Sequence, residues 1–206
     1  MLVFASDHGE GFGEHGVHGH ARNVLTPVVS VPLVIRFPFT VAPRRIRAQV
    51  RNLDIAPTLL ELAGVPVPEH FEGASLIPLL TEAGPAVEDR ASFAALGQPL
   101  FVNASVQASA TDGTWTYAQD REWLEAGDGK AADGDASGQP TAEHLFDRAV
   151  DPGENVNLIS REPEQADRMR ALLRDHLAAG STGIVEADVW IDPAIADRLR
   201  AMGYLR

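Results

Sequence analysis

Apolar residues in the first part of the chain form short runs separated by polar and glycine-rich segments. The run LVFAS at 2–6 predicts a short buried strand. The run VPLVIRF at 31–37 is almost continuously apolar and contains β-branched residues, a pattern typical of a strand buried on both faces. Because such strands occur in parallel sheets covered by helices, we expect this part of the chain to have an α/β fold.

A helix is predicted for the segment LDIAPTLLELAG at 53–64. Asp54 is the predicted N-cap, Pro57 fits the first turn, and Gly64 is the predicted C-terminal stop. A short helical turn is expected at 76–80.

The second half of the chain has strand-like patterns. The runs LFVNASVQA and TWTYAQ surround the turn signal Asp112-Gly113, which predicts a hairpin, and EHLFDR at 143–148 predicts a third strand. The segment 163–178 places its apolar residues on one helical face, and a last helix is predicted at 192–203. The polar, low-complexity stretch 125–142 is interpreted as a flexible surface loop.

A change in composition suggests how the chain is divided. The stretch 81–99 is rich in Ala, Gly and Pro, and we place a boundary there. Residues 1–85 are then predicted to form an α/β unit, and residues 86–206 a small antiparallel sheet with helices.

Composition and charge exclude some functions. The chain has 206 residues, 45% of them hydrophobic, which suffices for one domain with a sizeable core. Its formal net charge is −12 and it has no stripe of Lys and Arg, which argues against a nucleic-acid partner. Without cysteine, the sequence has no disulfide and no cysteine-bound zinc. No apolar run approaches the ~18 residues of a membrane-spanning helix, and no signal peptide is recognisable, so the compartment stays open.

Four of the seven histidines lie within the first twenty residues, in the loop after the first predicted strand. Asp7 and His8 come directly after that strand, where open α/β sheets bind ligands. A carboxylate and a neutral imidazole together suit a divalent cation, so these two are candidate metal ligands. His15 and His18 are loop histidines, a kind that is commonly only solvated. His20 lies thirteen positions after Asp7 and joins the pair only if the loop folds back.

Several motifs, in the same order, resemble the sulfatases of the alkaline-phosphatase-like superfamily. VFASDHGEGFGEHG is similar to the family's strand and metal loop, and NLDIAPTLLELAGVPVPEHFEGASLIPLL to its helix-and-loop stretch. EHLFDRAVDPGENVNL resembles the C-terminal LYDL…DP.E..NL segment, and PAIADRLRAMGYL the ending of many members. The resemblance spans nearly the whole chain, weakly across 82–142. It implies the C-terminal part of a catalytic α/β core over 1–85 and a C-terminal subdomain over 86–206.

The resemblance implies roles for four residues. Asp7 matches the family's metal-binding Asp, and His8 matches the adjacent ligand, which is Asn or His in members. His20 stands where sulfatases commonly have a Lys that contacts the sulfate oxygens, so it is the candidate catalytic and substrate-binding residue. Histidine at this spacing also resembles the phosphoethanolamine transferases and related phospho-transfer members. His15 matches a His of members with GEHG and is a weaker candidate for substrate contact.

The family's nucleophile motif, C/S-x-P-x-R, does not occur in this sequence. In the family it lies far upstream, so we expect the chain to supply part of a site that a missing N-terminal part completes. A sheet without its partner strands exposes apolar faces and unpaired backbone groups. We therefore expect the chain alone to be marginally stable, oligomeric or aggregation-prone.

Three functions stay open at this point. The first is hydrolysis of a sulfate ester, in a small molecule or a glycan, with a divalent metal that the resemblance implies is Ca²⁺. The second is phospho-transfer or hydrolysis of a phosphate or phosphonate ester with Zn²⁺ or Mn²⁺, which His20 suggests. The third is a non-catalytic truncated remnant, since two ligands fall short of the ~6–8 oxygens that calcium takes. Family members are often exported, but the resemblance assigns no compartment to this chain.

Overall fold

The structure, a computed structural model, describes residues 1–20, 23–37, 39–40, 42–80, 90–96, 106–121 and 140–180. Within these ranges the chain has a mixed α/β fold, as predicted. The strands are β1 (Leu2–Ala5), β2 (Gly11–Phe12), β3 (His18–Gly19), β4 (Leu33–Arg36), β5 (Ser92–Leu96), β6 (Val106–Thr111), β7 (Trp115–Arg121) and β8 (Ala142–Asp147). The α-helices are α1 (Thr26–Val29), α2 (Ile55–Leu62) and α3 (Pro163–Gly180), and 3-10 turns lie at Glu14–Gly16, Asn52–Asp54 and Ile77–Leu80. No helix in the described part of the chain is long and apolar enough to cross a membrane.

A four-stranded antiparallel sheet in the order β5-β6-β7-β8 carries the main core. Successive residues of a strand point to opposite faces, so alternate residues build one apolar face. That face packs against α3, the helix predicted from its apolar spacing. The core residues of the sheet face and of α3 are Ala108, Ala110, Tyr117, Leu145, Ala166, Met169 and Leu173.

The opposite face of this sheet, the polar face, carries Ser109, Thr111 and Thr116 beside the apolar Ala118 and Phe146, and it lies toward the first part of the chain. Thr111 and Thr116 are directly opposite each other across the β6–β7 pair. Ser109 lies on the same face, is buried, and donates a hydrogen bond from Oγ to the backbone oxygen of Val24 at 3.0 Å. The sheet therefore divides its two faces between a hydrophobic core and the candidate site described below.

The sequence prediction for 31–37 is wrong in its pairing and in its burial. β4 pairs with β1 antiparallel, with Phe4 opposite Val34, and the pair forms a two-stranded sheet. Leu33 and Ile35 are partly buried, whereas Val34 is 59% exposed. An apolar run indicates only that a strand packs against apolar neighbours. It does not determine whether the strand pairs parallel or antiparallel, because that depends on a partner strand distant in sequence.

Asp54 occupies the N-cap position of α2, but its side chain makes no capping bond, which corrects the predicted role. The residue is fully buried. Its carboxylate accepts backbone N–H groups of Arg51 and Ala74, both at 2.9 Å. Nη2 of Arg90 lies 2.9 Å from Oδ2 and balances the buried charge. Asp54 therefore joins three segments instead of only starting a helix.

The predicted end of α2 is confirmed. Gly64 has φ 69°, the left-handed conformation that glycine adopts at low cost. The N–H of Gly64 bonds to the oxygen of Glu61 at 3.0 Å, and that of Val65 to the oxygen of Leu60 at 2.9 Å. This pair of bonds is the Schellman arrangement, which satisfies carbonyl groups at the helix end.

Most of the predicted strands are present, and three observed strands, β2, β3 and β5, were missed. The hairpin turn at Asp112-Gly113 and the strand at 143–148 correspond to the β6–β7 turn and to β8. β5 lies inside the stretch interpreted as a boundary, because its small alanines carry no strong strand signal. The helix predicted at 192–203 and nearly all of the loop predicted at 125–142 lie outside the described residues. The division at residue 85 stays a prediction.

Candidate functional site

The turn that follows β1 is held from two directions. Asn52 donates from Nδ2 to the backbone oxygen of Ser6 at 3.1 Å, and Ser6 Oγ donates to the backbone oxygen of His8 at 2.7 Å. On the other side, the N–H of Gly9 donates to the oxygen of Val28 at 2.6 Å. A side chain at Gly9 would place its Cβ 2.2 Å from the oxygen of Pro27, so only glycine fits this approach. The backbone carrying Asp7 and His8 is therefore fixed before any ligand binds.

The hydrogen bonds of His8 determine which of its nitrogens is available. Nδ1 lies 2.8 Å from the backbone oxygen of Gly9. Because a carbonyl oxygen can only accept, Nδ1 carries the proton, and Nε2 of the neutral ring presents its lone pair. Nε2 lies 3.9 Å from Asp7 Oδ2. A ring nitrogen oriented through its second nitrogen is the usual state of a metal-bound histidine.

The carboxylate of Asp7 is exposed and favoured in its ionised form. Hydrogen bonds from its own backbone N–H and from that of His8 lower the pKa of Asp7. Oδ1 accepts the His8 N–H at 3.0 Å. A carboxylate that stays ionised and a lone pair on a neighbouring imidazole fit two positions of a divalent metal site.

By itself this pair is too small to form a metal site. Among the described residues, no group of three or more His, Asp or Glu side chains could hold a metal ion. A carboxylate oxygen and an imidazole nitrogen suit a divalent cation. Two ligands are too few to hold it, so a complete site requires further ligands.

His20 joins the pair because the loop folds back on itself. β2 and β3 form a short antiparallel pair with Gly11 opposite Gly19, which brings positions 10 and 20 together. The ring of His20 stacks on that of His8 with centroids 4.1 Å apart. Its Nδ1 lies 3.0 Å from Glu10 Oε2, so Nε2 is the nitrogen left for a ligand. The sequence left the folding of this loop open, and the β2–β3 pair decides it.

Glu10 and Asn52 are site residues that the sequence interpretation missed. The glycines at 11 and 19 were a usable signal for Glu10, because two short strands paired through them place position 10 across from His20. Asn52 gave no local signal, since its bond to Ser6 joins residues 46 positions apart.

His15 and His18 do not join this cluster. His15 has φ 55°, and its ring lies 6.4 Å from the ring of Phe146 on the polar face of the sheet. His18 is exposed and lies against Gly13. His15 lies near Phe146 and not beside His8 and His20. Its expected substrate contact stays a prediction.

A cleft of about 880 Å³ contains Asp7, His8 and His20 and extends to the polar face of the sheet. Its charged and ionisable lining residues are mostly basic, although the chain as a whole has a formal net charge of −12. The basic lining residues are Arg47, Arg51, Arg148, His8, His20 and His176, and the carboxylates are Asp7 and Glu72. This balance favours an anionic ligand.

The chain is similar to several known proteins. Residues 13–93 match the family model described as N-sulphoglucosamine sulphohydrolase, C-terminal. Arylsulfatase K of Xenopus laevis is 30% identical over 173 residues, covering 84% of this chain and 30% of that protein. The chain belongs to the sulfatase family and matches its C-terminal part. N-acetylglucosamine-6-O-sulfatase of Bacteroides thetaiotaomicron is 37% identical over 90 residues, covering 43% of this chain and 16% of that protein.

Solved structures support the fold of this sulfatase-family chain. A structure described as a 2-O GAG sulfatase superposes with a TM-score of 0.69 at 22% identity, covering 93% of this chain and 39% of that one. The phosphonate monoester hydrolase of Silicibacter pomeroyi superposes with a TM-score of 0.61 at 24% identity, covering 89% of this chain and 35% of that one. These likenesses confirm the alkaline-phosphatase-like fold class. The chain spans about a third of the length of the relatives that it matches over most of its own length.

Proposed function

We propose that this chain carries the metal-ligand pair and the oxyanion-contacting histidine of a metal-dependent sulfate ester hydrolase. The observation behind the proposal is the convergence of Asp7, His8 and His20 in a cleft whose ionisable side chains are mostly basic. The relationship to sulfatases supports the reaction class. Because the sequence has no C/S-x-P-x-R motif, the nucleophile and the remaining metal ligands are proposed to come from a part of the enzyme outside these residues.

The metal, when bound, supplies a Lewis acid that neutralises charge on the ester oxygens. Asp7 Oδ2 and His8 Nε2 are the atoms that would hold it, and the Gly9 oxygen keeps the proton on the other His8 nitrogen. We propose Ca²⁺, as the resemblance implies. An imidazole ligand also suits Zn²⁺ and Mn²⁺, so metal analysis is part of the test.

His20 is the proposed contact to the reacting group. Glu10 accepts a hydrogen bond from Nδ1–H of His20, which leaves Nε2 of His20 to face the proposed substrate. As the imidazolium, Nε2 donates a hydrogen bond to a sulfate oxygen or protonates the departing alcohol, and as the neutral ring it accepts a proton. Stacking on His8 keeps the His20 ring beside the metal-ligand pair.

The proposed substrate is a sulfated glycan. The cleft, at about 880 Å³, lies toward the upper end of the roughly 300–1,000 Å³ that small-ligand sites occupy. Arginines at 47, 51 and 148 line it and suit anionic groups carried on a sugar chain. Two of the similar proteins are named as sulfatases of N-acetylglucosamine and of GAG chains.

A second candidate is hydrolysis of phosphate or phosphonate esters. Histidine at position 20, in place of lysine, favours it, and the fold is similar to that of a phosphonate monoester hydrolase. The third alternative is a chain without catalytic activity. It is kept because the described residues include no group of three or more His, Asp or Glu side chains that could hold a metal ion.

The deciding experiment uses protein expressed from the complete reading frame and compares aryl sulfate with aryl phosphate turnover, with metal content measured in parallel. We expect faster sulfate turnover and stoichiometric calcium. The substitutions Asp7→Asn and His8→Ala should reduce metal affinity by more than the about 10–100-fold that outer-shell partners cost. The substitution His20→Ala should lower kcat by about 100–1,000-fold, as removal of an oxyanion donor does.

The matched control is His18→Ala, since His18 is an exposed histidine of the same loop and should keep kcat within about twofold of the parent. Faster phosphate turnover, with zinc or manganese bound, would overturn the sulfate assignment in favour of the second candidate. A complete protein that binds no metal and hydrolyses neither ester establishes the third alternative.

A further inference from the structure

Glu154 is a buried carboxylate in a strained backbone conformation. It is 1% exposed, and its φ of 55° lies in the left-handed region that residues other than glycine seldom adopt. Its Oε2 accepts the backbone N–H of Thr26 at 2.9 Å, and its Oε1 accepts the Thr26 hydroxyl at 2.7 Å. A residue 128 positions away along the chain therefore satisfies both donors of Thr26.

The loop around Glu154 is built to present it. Asp151 accepts the N–H groups of Asn155 and Val156 at 2.7 and 2.8 Å, and these bonds help to lower the pKa of Asp151. The backbone N–H of Glu154 donates to the backbone oxygen of Asp151 at 3.0 Å. Asn157 then fixes the far end of the loop, where its Oδ1 accepts the N–H of Leu145 on β8 at 3.0 Å. The loop thus spans the gap between the sheet and the first part of the chain.

Thr26 opens α1, and α1 is in direct contact with the turn that carries the metal-ligand pair. Val28, two residues after Thr26, accepts the N–H of Gly9 at 2.6 Å. The oxygen of Gly9 in turn accepts Nδ1–H of His8 at 2.8 Å, the bond that leaves Nε2 available. An uninterrupted series of bonds therefore runs from Glu154 through α1 and Gly9 to His8.

We propose that Glu154 is a positioning residue for the metal-binding turn: its carboxylate holds α1 in place, and α1 sets the orientation of His8 through Gly9. This inference rests on the proposed function, because it assigns Glu154 to the same site. Glu154 itself lies outside the residues that line the cleft and acts only through α1.

Three substitutions distinguish positioning from a general contribution to stability. Glu154→Gly removes the carboxylate while tolerating φ 55°. Glu154→Gln is the conservative variant: its amide oxygen accepts the Thr26 N–H, and its NH₂ group donates to the Thr26 hydroxyl. Thr26→Val removes one donor at almost unchanged volume. The matched control is Asn157→Ala, because Asn157 bonds in the same loop but contacts neither Thr26 nor the metal-binding turn.

The first measurement is hydrogen–deuterium exchange of the complete protein without metal, read in peptides covering 6–12 and 23–29. Glu154→Gly should speed exchange of the Gly9 amide at least about tenfold relative to peptides of α3. The reason is that local opening of the metal-binding turn then requires less free energy than global unfolding. Thr26→Val should do so to a smaller extent, and Glu154→Gln should stay within about threefold of the parent. Asn157→Ala should change exchange near Leu145 and leave Gly9 unchanged.

The second measurement is divalent-metal affinity by titration calorimetry. Glu154→Gly should weaken it by about 10–100-fold, with Glu154→Gln close to the parent. Unchanged Gly9 exchange in both Glu154→Gly and Thr26→Val would overturn the inference, whatever their thermal stability. If the parent protein binds no metal, the proposed function fails, and Gly9 exchange still decides whether Glu154 positions the turn.

Discussion

At the scale of single residues, Asp54 shows how a group outside the cleft determines the geometry inside it. Its buried carboxylate binds the backbone of Arg51 and Ala74 and is balanced by Arg90. These contacts fix the 3-10 turn at Asn52–Asp54, from which Asn52 holds the Ser6 oxygen. A charge with no solvent access is stable here because each oxygen has a donor or a cation near it.

We predict that Asp54→Asn lowers the free energy of unfolding by about 3–5 kcal/mol, the cost of breaking a buried ion pair. The substituted amide offers one acceptor where Arg51 and Ala74 require two, and it leaves Arg90 without its counter-charge. Urea denaturation of the complete protein measures the change.

The control for this prediction is Asp175→Asn. Asp175 also pairs with an arginine, Arg174, but its side chain is 70% exposed. Exposed pairs contribute little, so the loss should stay below about 1 kcal/mol. Equal losses for the two substitutions would show that the burial of Asp54 has no special energetic role.

At the scale of elements, the sheet and α3 are joined by polar contacts around the apolar core. Arg168 on α3 bonds to Asp112 in the β6–β7 turn. Arg170 donates from Nε to Glu143 on β8 at 2.7 Å, and Tyr117 on β7 donates its hydroxyl to the same carboxylate. Burial, and then the bond to Glu143, raise the pKa of Tyr117, while the bond from Arg170 lowers the pKa of Glu143.

These contacts predict loss of stability in acid. Burial raises the pKa of Asp112, but the bonds from Trp115 N–H and Arg168 outweigh it and bring the pKa below its ordinary 3.8. The pKa of Glu143 likewise lies below its ordinary 4.5. A carboxylate with a lowered folded-state pKa stabilises the fold above its unfolded-state pKa and loses that contribution as pH falls through the folded-state value.

Unfolding free energy measured from pH 7 to pH 2 should therefore fall below about pH 4.5, and Asp112→Asn should make that decrease shallower. A slope that Asp112→Asn does not alter would contradict the assignment.

At the scale of the whole molecule, the β1–β4 pair leaves an apolar face uncovered within the described residues. Leu2, Phe4 and Val34 lie on the same face of this pair and are each about 60% exposed. Clustered exposed apolar side chains favour association, whereas single ones do not. The main sheet differs, since α3 covers its apolar face.

We predict that the 206-residue chain by itself self-associates at micromolar concentration, as expected from its sequence. Because the cluster on β1 and β4 drives the association, Phe4→Ser should reduce it. Val150→Ser changes a residue that is 79% exposed but lies outside the cluster, and it should have no effect. Sedimentation velocity measures both variants, and a monomeric parent chain with cooperative unfolding would contradict the prediction.

The sequence by itself determined features whose cause is local. The Schellman end at Gly64, the turn at Asp112-Gly113, the apolar face of α3 and the placement of Asp7 and His8 after a strand all follow from residues within a few positions of one another. The ordered motifs also determined the family, because four separate stretches recur in the right order.

Only the tertiary structure decided features whose partners are distant along the chain. The sequence contained β4, Asp54 and Glu154, but their partners are β1, Arg90 and Thr26, at separations that no local pattern encodes. The same holds for His20, whose place beside His8 depends on the β2–β3 pairing. Residue type limits what a side chain can do, and the fold brings it to the partner with which it acts.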